Sequence, residues 1–204
     1  MKKIILLCFW FSLAGTVSTQ TPGSRDSTFG VNGMALPGLN VWNASTAMVI
    51  QPDEKILVAG YIESNGRSVF AVFRFLPNGS LDATFGQGGI AQAYIDSIEN
   101  QAYAIALQPD GKVLVAGYAK SNGTVSEDAV LLRFTADGAL DDSFNDTGIV
   151  ILDISPVDRF YALALQADGR ILAAGKAMAP EKPGFMIARF RPDGSPDIGY
   201  GVNG

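Results

Sequence analysis

One nine-residue motif recurs four times along this chain, and it constrains the fold more than any other feature. Each copy has an aromatic residue at its fifth position and ends in glycine: RDSTFGVNG (25–33), LDATFGQGG (81–89), LDDSFNDTG (140–148) and PDIGYGVNG (196–204). The aromatic residues are Phe29, Phe85, Phe144 and Tyr200, separated by 56, 59 and 56 residues. A period of this length predicts an array of similar units, each packed on its neighbours.

Two further motifs recur between these copies in a constant order. The longer one is QPDEKILVAGY (51–61), QPDGKVLVAGY (108–118) and QADGRILAAGK (166–176). The shorter one is FRFLPNGS (73–80), LRFTADGA (132–139) and ARFRPDGS (188–195). We therefore treat residues 20–204 as one repeat domain, with units at about 25–80, 81–139 and 140–195 and the start of a fourth at 196–204.

Each unit is predicted to contain four short β-strands. In the middle unit they cover about 89–95, 101–107, 112–118 and 129–134, with Gly, Pro, Asp and Asn at the turns between them. Stretches such as AYAIAL and AVLLRF are apolar nearly throughout, which indicates burial on both faces. Four-stranded sheets stacked between neighbouring sheets meet this requirement, as in the blades of a β-propeller. Close approach of adjacent sheets is expected at the pairs Ala59-Gly60, Ala116-Gly117 and Ala174-Gly175.

Together these motifs carry a family resemblance. The series Gln-Pro-Asp-Gly-Lys, Leu-Val-Ala-Gly-Tyr, Arg-Phe-x-x-Asp-Gly and Leu-Asp-x-x-Phe-Gly-x-x-Gly resembles the delta-60 repeat family, whose units are similar to propeller blades of the NHL and YVTN kinds. The resemblance covers residues 25–204, with local departures at Glu54, Ala167 and Asn145. It implies an architecture and export, and it brings no shared reaction or ligand.

The resemblance also implies how strands divide among sheets. The stretch ending in Gln-Pro-Asp would be the inner strand of a blade, and the stretch after Phe-Gly-x-x-Gly the outer strand, so that residues 34–39 would form an outer strand. Three blades are fewer than the four at which propellers usually begin. We expect an all-β, β-propeller-like array of about three four-stranded antiparallel blades in an incomplete ring. It would be a fragment of a longer chain, an arc, or part of an assembly of several chains.

The aspartates of the Gln-Pro-Asp turns are interpreted as structural. Asp53, Asp110 and Asp168 each stand where a three-residue hairpin loop needs a side chain that bonds the backbone, and the next residue must adopt a left-handed conformation. Glu54 takes that place in the first unit, at a cost of about 1 kcal/mol. The alternative is calcium ligation, for which DSFND (142–146) comes nearest to a ligand loop.

Three arginines precede three aspartates by eight residues, once in every unit. The pairs are Arg74 and Asp82, Arg133 and Asp141, and Arg189 and Asp197. We interpret them as repeated ion pairs, or as arginines that fix a loop through backbone carbonyls, with a ring of charges for a ligand as the alternative. The aromatic series Phe29, Phe85, Phe144 and Tyr200 is expected to fill the seam between blades, with a stacking platform as the alternative.

The first 19 residues have the layout of a secretory signal peptide. Lys2 and Lys3 precede an apolar run at 4–14, which is too short to span a bilayer, and cleavage is expected near residue 19. The only cysteine, Cys8, lies inside this segment, so the mature chain would have no disulfide. We expect a secreted or cell-envelope protein of a bacterium, in the periplasm or on the outer surface, with no membrane span. Three-residue patterns also suggest weak O-glycosylation sites at Ser27 and Ser97.

Charge and composition exclude several functions. Removal of Lys2 and Lys3 changes the formal net charge from −5 to −7, which argues against nucleic acid and anionic membranes as partners. The chain has no histidine, and without Cys8 it has neither the commonest general base nor a thiol nucleophile, although paired carboxylates remain a possible catalytic site. We therefore expect no catalysis by this chain and no cofactor or metal.

Function is expected where the copies differ. The variable parts are 94–101, 121–128, 176–184 and Trp42 within 40–45. The function favoured by the sequence is an exported binding or scaffold module with a protein or carbohydrate ligand, and with self-association or further repeats that close a ring. The alternative is a fragment of a larger secreted enzyme or adhesin whose functional part is absent.

Overall fold

The computed structural model describes residues 23–41, 43–121, 125–179, 182–202 and 204. These residues form eleven β-strands and no helix. The strands are β1 (Asn43–Ile50), β2 (Ile56–Ser64), β3 (Arg67–Phe75), β4 (Ile90–Ala93), β5 (Glu99–Leu107), β6 (Val113–Lys120), β7 (Glu127–Phe134), β8 (Ile149–Leu152), β9 (Asp158–Leu165), β10 (Ile171–Ala179) and β11 (Lys182–Phe190). Across the same ranges, no helical segment is long and apolar enough to cross a bilayer.

The strands form three antiparallel sheets that follow one another along the chain. Sheet 1 has the order β1-β2-β3-β4 and sheet 2 the order β5-β6-β7-β8, whereas sheet 3 has three strands in the order β9-β10-β11. The prediction of an unclosed all-β array of antiparallel sheets is therefore confirmed, with four, four and three strands.

The fourth strand of each complete sheet comes from the next sequence unit. The segment predicted as a strand at 89–95 forms β4, which pairs with β3 of the preceding unit through Phe73 and Ile90. Likewise β8 pairs with β7. Each sheet is thus offset from the sequence repeat, and the motif that ends in glycine connects one sheet to the next.

The sheets stack face to face around two cores. One core lies between sheets 1 and 2 and includes Leu57, Phe70 and Val115. The other lies between sheets 2 and 3 and includes Leu114 and Phe160. Because sheet 2 is covered on both sides, β6 is buried along almost its whole length. This accounts for the continuous apolar runs in the sequence.

The glycines of the Ala-Gly pairs have a different role from the one expected. A Cβ at Gly60 would lie 1.8 Å from the Ala44 carbonyl oxygen, which belongs to the neighbouring strand of the same sheet. Gly117 and Gly175 have the same relation to the Gln101 and Arg159 carbonyls. The cause is a β-bulge in the innermost strand of each sheet, which pushes a carbonyl toward the facing strand. The close approach is within a sheet, and it is the adjacent Ala59 and Ala116 that lie between sheets.

Residues 34–39 are not the outer strand that the resemblance implied. Apart from one isolated bridge between Gly30 and Met34, this segment has no strand pairing. An outer strand needs the edge of a third strand beside it, and no sheet precedes sheet 1 in the described residues. Instead, Ala35 and Leu39 pack on the outer face of sheet 1.

Candidate functional site

The repeated arginine of the first unit joins three structural elements. Arg74 donates from Nε to Asp82 Oδ2 (2.9 Å) and from Nη2 to Thr84 Oγ1 (3.1 Å). Its Nη1 donates to the Ala136 carbonyl of the next unit (2.8 Å). The guanidinium lies 4.5 Å above the centroid of the Phe85 ring. Arg74 therefore connects its own aspartate and aromatic residue to the turn of the following unit.

The second unit repeats this arrangement. Arg133 donates to Asp141 (2.6 Å) and across the seam to the Pro192 carbonyl (2.5 Å), and it lies 4.4 Å above the Phe144 ring. Both members of this ion pair are buried. A buried arginine whose donors meet a carboxylate and a carbonyl has its hydrogen-bonding capacity used within the protein, so it is not available to a ligand.

The third copy keeps the contacts of the arginine with its own aspartate and aromatic residue. Arg189 donates to Asp197 (2.9 Å) and lies 4.2 Å above the Tyr200 ring. Arg170 also contacts Asp197 (3.0 Å). No following unit lies within the described residues to offer a carbonyl. Tyr200 is accordingly half-buried, whereas Phe85 and Phe144 are fully buried.

A second cation lies beside each repeated aspartate. Lys55 Nζ is 3.3 Å from Asp82 Oδ2, and Lys112 Nζ is 3.0 Å from Asp141 Oδ2. Burial pushes the pKa of Asp82 upward, but hydrogen bonds from Thr84 and the charges of Arg74 and Lys55 outweigh it and lower the pKa to about 2. The same balance holds the pKa of Asp141 below its usual range. These carboxylates are ionised at neutral pH and cannot serve as general acids.

The aromatic residue of each motif packs on the glycine of the next turn. A Cβ at Gly138 would lie 3.0 Å from two atoms of the Phe85 ring and 2.7 Å from the Gly86 amide nitrogen. That amide donates to the Asp137 carbonyl (2.7 Å). Phe144 packs in the same way on Gly194, and Phe29 lies beside Gly79. We call the arginine, aspartate, aromatic residue and turn glycine of one seam the seam staple.

The Gln-Pro-Asp turns are closed by their own backbone. In the middle unit the Gln108 amide donates to the Lys112 carbonyl (2.8 Å), the Gly111 amide donates to the Gln108 carbonyl (2.9 Å), and Asp110 Oδ1 accepts from the Lys112 amide (3.2 Å). Asp53 and Asp168 occupy the same place. Glu54 has the positive φ, 66°, that its position demands.

The described residues contain no cluster of ligands that would support the calcium hypothesis. Among the residues with described positions, no three His, Cys, Asp or Glu side chains are grouped so that they could hold a metal ion. In the segment 142–146, Asn145 and Asp146 have positive φ values and form a turn that closes the motif.

The innermost strands carry the feature that most clearly departs from the repeat. The bulge residue of each strand is Thr46 in β1, Tyr103 in β5 and Tyr161 in β9. The residue two places before it is Ala44, Gln101 or Arg159. Bulges are common beside binding and active sites because they re-aim a side chain. Two of the three bulges present a tyrosine here, and the first presents none.

Five side chains contact one another where sheets 2 and 3 join. We call them the inner-strand cluster: Tyr103, Tyr118, Tyr161, Arg159 and Glu127. The centroids of the Tyr103 and Tyr161 rings are 5.1 Å apart and those of Tyr103 and Tyr118 are 5.8 Å apart. Arg159 lies 4.1 Å above the Tyr118 ring, forms an ion pair with Glu127 and donates to the Tyr103 hydroxyl (3.2 Å). Tyr118 is buried, whereas Tyr161 is 43% exposed.

The electrostatics of the cluster fix its protonation. The hydrogen bond between Arg159 and Glu127 lowers the pKa of the Glu127 carboxyl and raises that of the Arg159 guanidinium. Burial raises the pKa of Tyr103, against the opposing charge of Arg159. Burial, together with a hydrogen bond to Glu99, also raises the pKa of Tyr118. Tyr103 and Tyr118 therefore remain neutral phenols beside the ion pair of Arg159 and Glu127.

The variable loops are described only in part. Trp42, residues 122–124 and residues 180–181 lie outside the described residues. In the loop 94–101, Ser97 is buried and donates to Asn100 Oδ1 (2.7 Å), while the Asn100 side chain donates to the Ser68 carbonyl (2.6 Å). The Ser97 hydroxyl is thus inside the folded chain, whereas Ser27 is exposed, and glycosylation at either residue stays a prediction.

Comparison with known proteins agrees with this architecture. A family model described as a domain of unknown function (DUF5122) beta-propeller matches residues 51–85, 108–144 and 166–198, which together are just over half of the chain. The three matched segments each begin at the Gln-Pro-Asp turn or its variant. No curated protein matches the chain.

Proposed function

We propose that this chain, which belongs to the DUF5122 beta-propeller family, is a binding module in which a repeated scaffold presents one non-repeated surface, the inner-strand cluster. The family is a propeller-like repeat family, and such a domain supports a binding or scaffold role in general. The more specific identity as a delta-60 repeat is part of this proposal and depends on the four recurring motifs.

The observation that carries the proposal is the contrast between repeated and non-repeated positions. The repeated arginines, aspartates and aromatic residues are engaged in the seam staples. Within the part of the chain that the structure describes, the inner-strand cluster occurs once, at the junction of sheets 2 and 3, and exposes Tyr161 on β9. A single ligand contacts only part of such an array, so a surface that occurs once is the better candidate.

The chemistry of the cluster defines the class of ligand. Tyrosine and arginine dominate protein binding surfaces because each combines a large apolar area with a polar group. Here the Tyr103 hydroxyl donates to Gln101 Oε1 (2.7 Å) and accepts from Arg159, and its ring contacts the Tyr118 and Tyr161 rings, so the exposed Tyr161 ring is the binding element. We propose a protein or a carbohydrate ligand that stacks on the Tyr161 ring.

We propose no catalysis by this chain. The sequence has no histidine, and Asp82 and Asp141 have lowered pKa values that suit ion pairs rather than proton transfer. Assay of the purified chain for glycosidase and lyase activity tests this point, and turnover that is lost in an aspartate variant would contradict it.

Export is the remaining part of the proposal, and the expected leader at 1–19 supports it. Mass spectrometry of protein recovered from the producing bacterium should find an N-terminus near residue 20 in the envelope or medium. Intact chain with residues 1–19 in the cytosol would contradict export.

The binding proposal is tested with two tyrosine variants. Tyr161→Ala alters the inner-strand cluster, and Tyr94→Ala is the matched control because Tyr94 is also exposed but follows an outer strand. Both should melt within about 2 °C of the parent chain, since exposed substitutions change stability little. On a glycan panel, ligand capture should fall at least tenfold for Tyr161→Ala alone. A photo-crosslinking side chain placed at 161 should capture a protein ligand, whereas the same side chain at 94 should not. Equal capture by both variants would contradict the proposal.

A further inference from the structure

Sheet 3 has an apolar face that no other described residue covers. Phe185 in β11 is 88% exposed, and Ile187 is also exposed. The residues at the same repeat positions are Phe70 and Val72 in sheet 1, and both are fully buried against sheet 2. The free face of sheet 3 therefore has the composition of a face that is covered in the neighbouring units.

Sheet 1 has the complementary uncovered face. Met48 and Ile50 in β1 are each 61% exposed. Their repeat equivalents in β5, Ile105 and Leu107, pack against the core between sheets 1 and 2. In the order of the array, this side of sheet 1 is the side on which a preceding sheet would pack.

Residues 25–39 already supply part of that missing sheet. Phe29 lies beside Gly79, and the Gly30 amide donates to the Asn78 carbonyl (2.8 Å), as the Gly86 amide does to the Asp137 carbonyl. The segment has the seam motif and, at 34–39, the fourth-strand position of a preceding sheet. Among the described residues, no inner strands accompany this segment, and sheet 3 has three strands without a fourth.

We propose that sheet 3 of one copy packs on the open side of sheet 1 of a second copy, and that residues 34–39 of the second copy pair with β11 as the missing fourth strand. The contact repeats the interfaces between sheets 1 and 2 and between sheets 2 and 3, so the same positions are buried at all of them. Strand addition to an exposed edge provides backbone hydrogen bonds as well as apolar burial.

The two nearly identical end motifs make this exchange feasible. FGVNG at 29–33 and YGVNG at 200–204 would occupy the same place at the new seam. In the proposed dimer the first segment takes that place, and Arg189 stacks on Phe29 of the second copy instead of on its own Tyr200. Because the motifs are alike, the local exchange is close to neutral, and burial of the two sheet faces favours association.

The stoichiometry follows from the number of sheets. A head-to-tail contact of this kind forms a closed ring only when the rotation returns to the start, and otherwise forms a filament. Two copies give six sheets, within the four to eight blades of known propellers, and three copies would give nine. For a chain with the three described sheets, the proposal therefore specifies a closed dimer.

Light scattering after size-exclusion chromatography tests the proposal with the full chain. The parent should have twice the 21.5 kDa mass of one chain, or twice that of the processed chain. Phe185→Glu and Met48→Glu each place a charge on one of the proposed contacting faces and should give folded monomers by circular dichroism. Val125→Glu is the matched control, because Val125 is 82% exposed in a loop, and should remain a dimer. A folded monomeric parent, a larger open assembly, or a Phe185→Glu dimer would overturn the proposal.

Disulfide trapping tests the strand pairing separately. By the register of β3 with β4, Ala35 of one copy would face Ile187 of the other. In a Cys8→Ser background, Ala35→Cys with Ile187→Cys should form a covalent dimer on mild oxidation, whereas Val125→Cys with Ile187→Cys should not. Failure of the first pair in a chain that still has the dimer mass would overturn the strand exchange.

Discussion

Substitution of the glycine beneath Phe85 is predicted to weaken the seam between sheets 1 and 2. Gly138 is buried at φ +92°, and a Cβ there would meet the Phe85 ring at 3.0 Å and the Gly86 amide nitrogen at 2.7 Å. Alanine in this left-handed backbone conformation lowers the free energy of unfolding by about 1–2 kcal/mol. Overpacking adds about 1–3 kcal/mol, and loss of the hydrogen bond from Gly86 to Asp137 adds about 0.5–1.5 kcal/mol.

The matched control is Gly66→Ala. Gly66 has φ +74° in an exposed turn, and no atom lies within 4 Å of the place that an added Cβ would occupy, so alanine there has the backbone cost alone. The difference between the two variants should be about 2–4 kcal/mol, or roughly 5–15 °C in melting temperature for a domain of this size. Urea denaturation of both variants measures it. If Gly138→Ala is within about 0.5 kcal/mol of Gly66→Ala, the aromatic residue does not hold the seam.

Three further substitutions or conditions test the repeated residues. Glu54→Gly should stabilise the chain by about 0.5–1 kcal/mol in urea denaturation, because Glu54 has a φ of 66° that glycine adopts without strain; a less stable variant would contradict this. Acid should reduce stability, because the pKa of Asp82 is about 2 in the folded chain and higher in the unfolded chain. The stabilisation from the ionised Asp82 is therefore complete above about pH 5 and is lost as the pH falls toward 2. A melting temperature that stays constant over this pH range would refute the prediction. Arg133→Lys should cost about 2–4 kcal/mol because lysine cannot reach both Asp141 and the Pro192 carbonyl, whereas the exposed Arg67→Lys should cost under about 0.5 kcal/mol; equal costs would show that the buried link is not needed.

The strands of the array could be predicted because local sequence decides them. Turn glycines, prolines and aspartates divide each unit, and nearly continuous apolar runs show burial on both faces. The predicted segment 129–134 lies within β7 (Glu127–Phe134), and 101–107 lies within β5 (Glu99–Leu107). The resemblance gave a unit's first strand the outer position, but its pairing with the preceding sheet is seen only in the structure, because nothing local distinguishes which neighbour a strand will pair with.

Residues 34–39 show where local reasoning fails. The segment follows the same motif that precedes β4 and β8, and for that reason the repeat predicts a strand there. A strand, however, is defined by its hydrogen-bonding partner, which is absent beside this segment among the described residues of a single chain. The sequence of residues 34–39 therefore predicts that the segment can form a strand, but it does not predict whether a partner strand lies beside it.

The inner-strand cluster could not be predicted from residue types. Tyr103, Tyr161 and Arg159 belong to different units, and only the packing of β5 beside β9 brings them together. One signal was available: Gly117 and its repeat equivalents interrupt otherwise apolar strands, and such a glycine indicates a bulge in the facing strand as well as close packing. A second repeat was also missed at the start of the innermost strands. An Asn or Asp lies eight residues before each repeated glutamine, at Asn43, Asn100 and Asp158.

The central claim, that the repeated residues lock successive units together, is tested most directly by amide hydrogen exchange at Gly86 and Asn145. Each amide donates across a seam, to Asp137 and Asp193 respectively, at 2.7 Å. The account predicts that both exchange only through global unfolding, at the rate of the slowest amides of β6 and β7. Exchange as fast as that of the exposed Gly66 turn would show that the units are merely adjacent and would contradict the account.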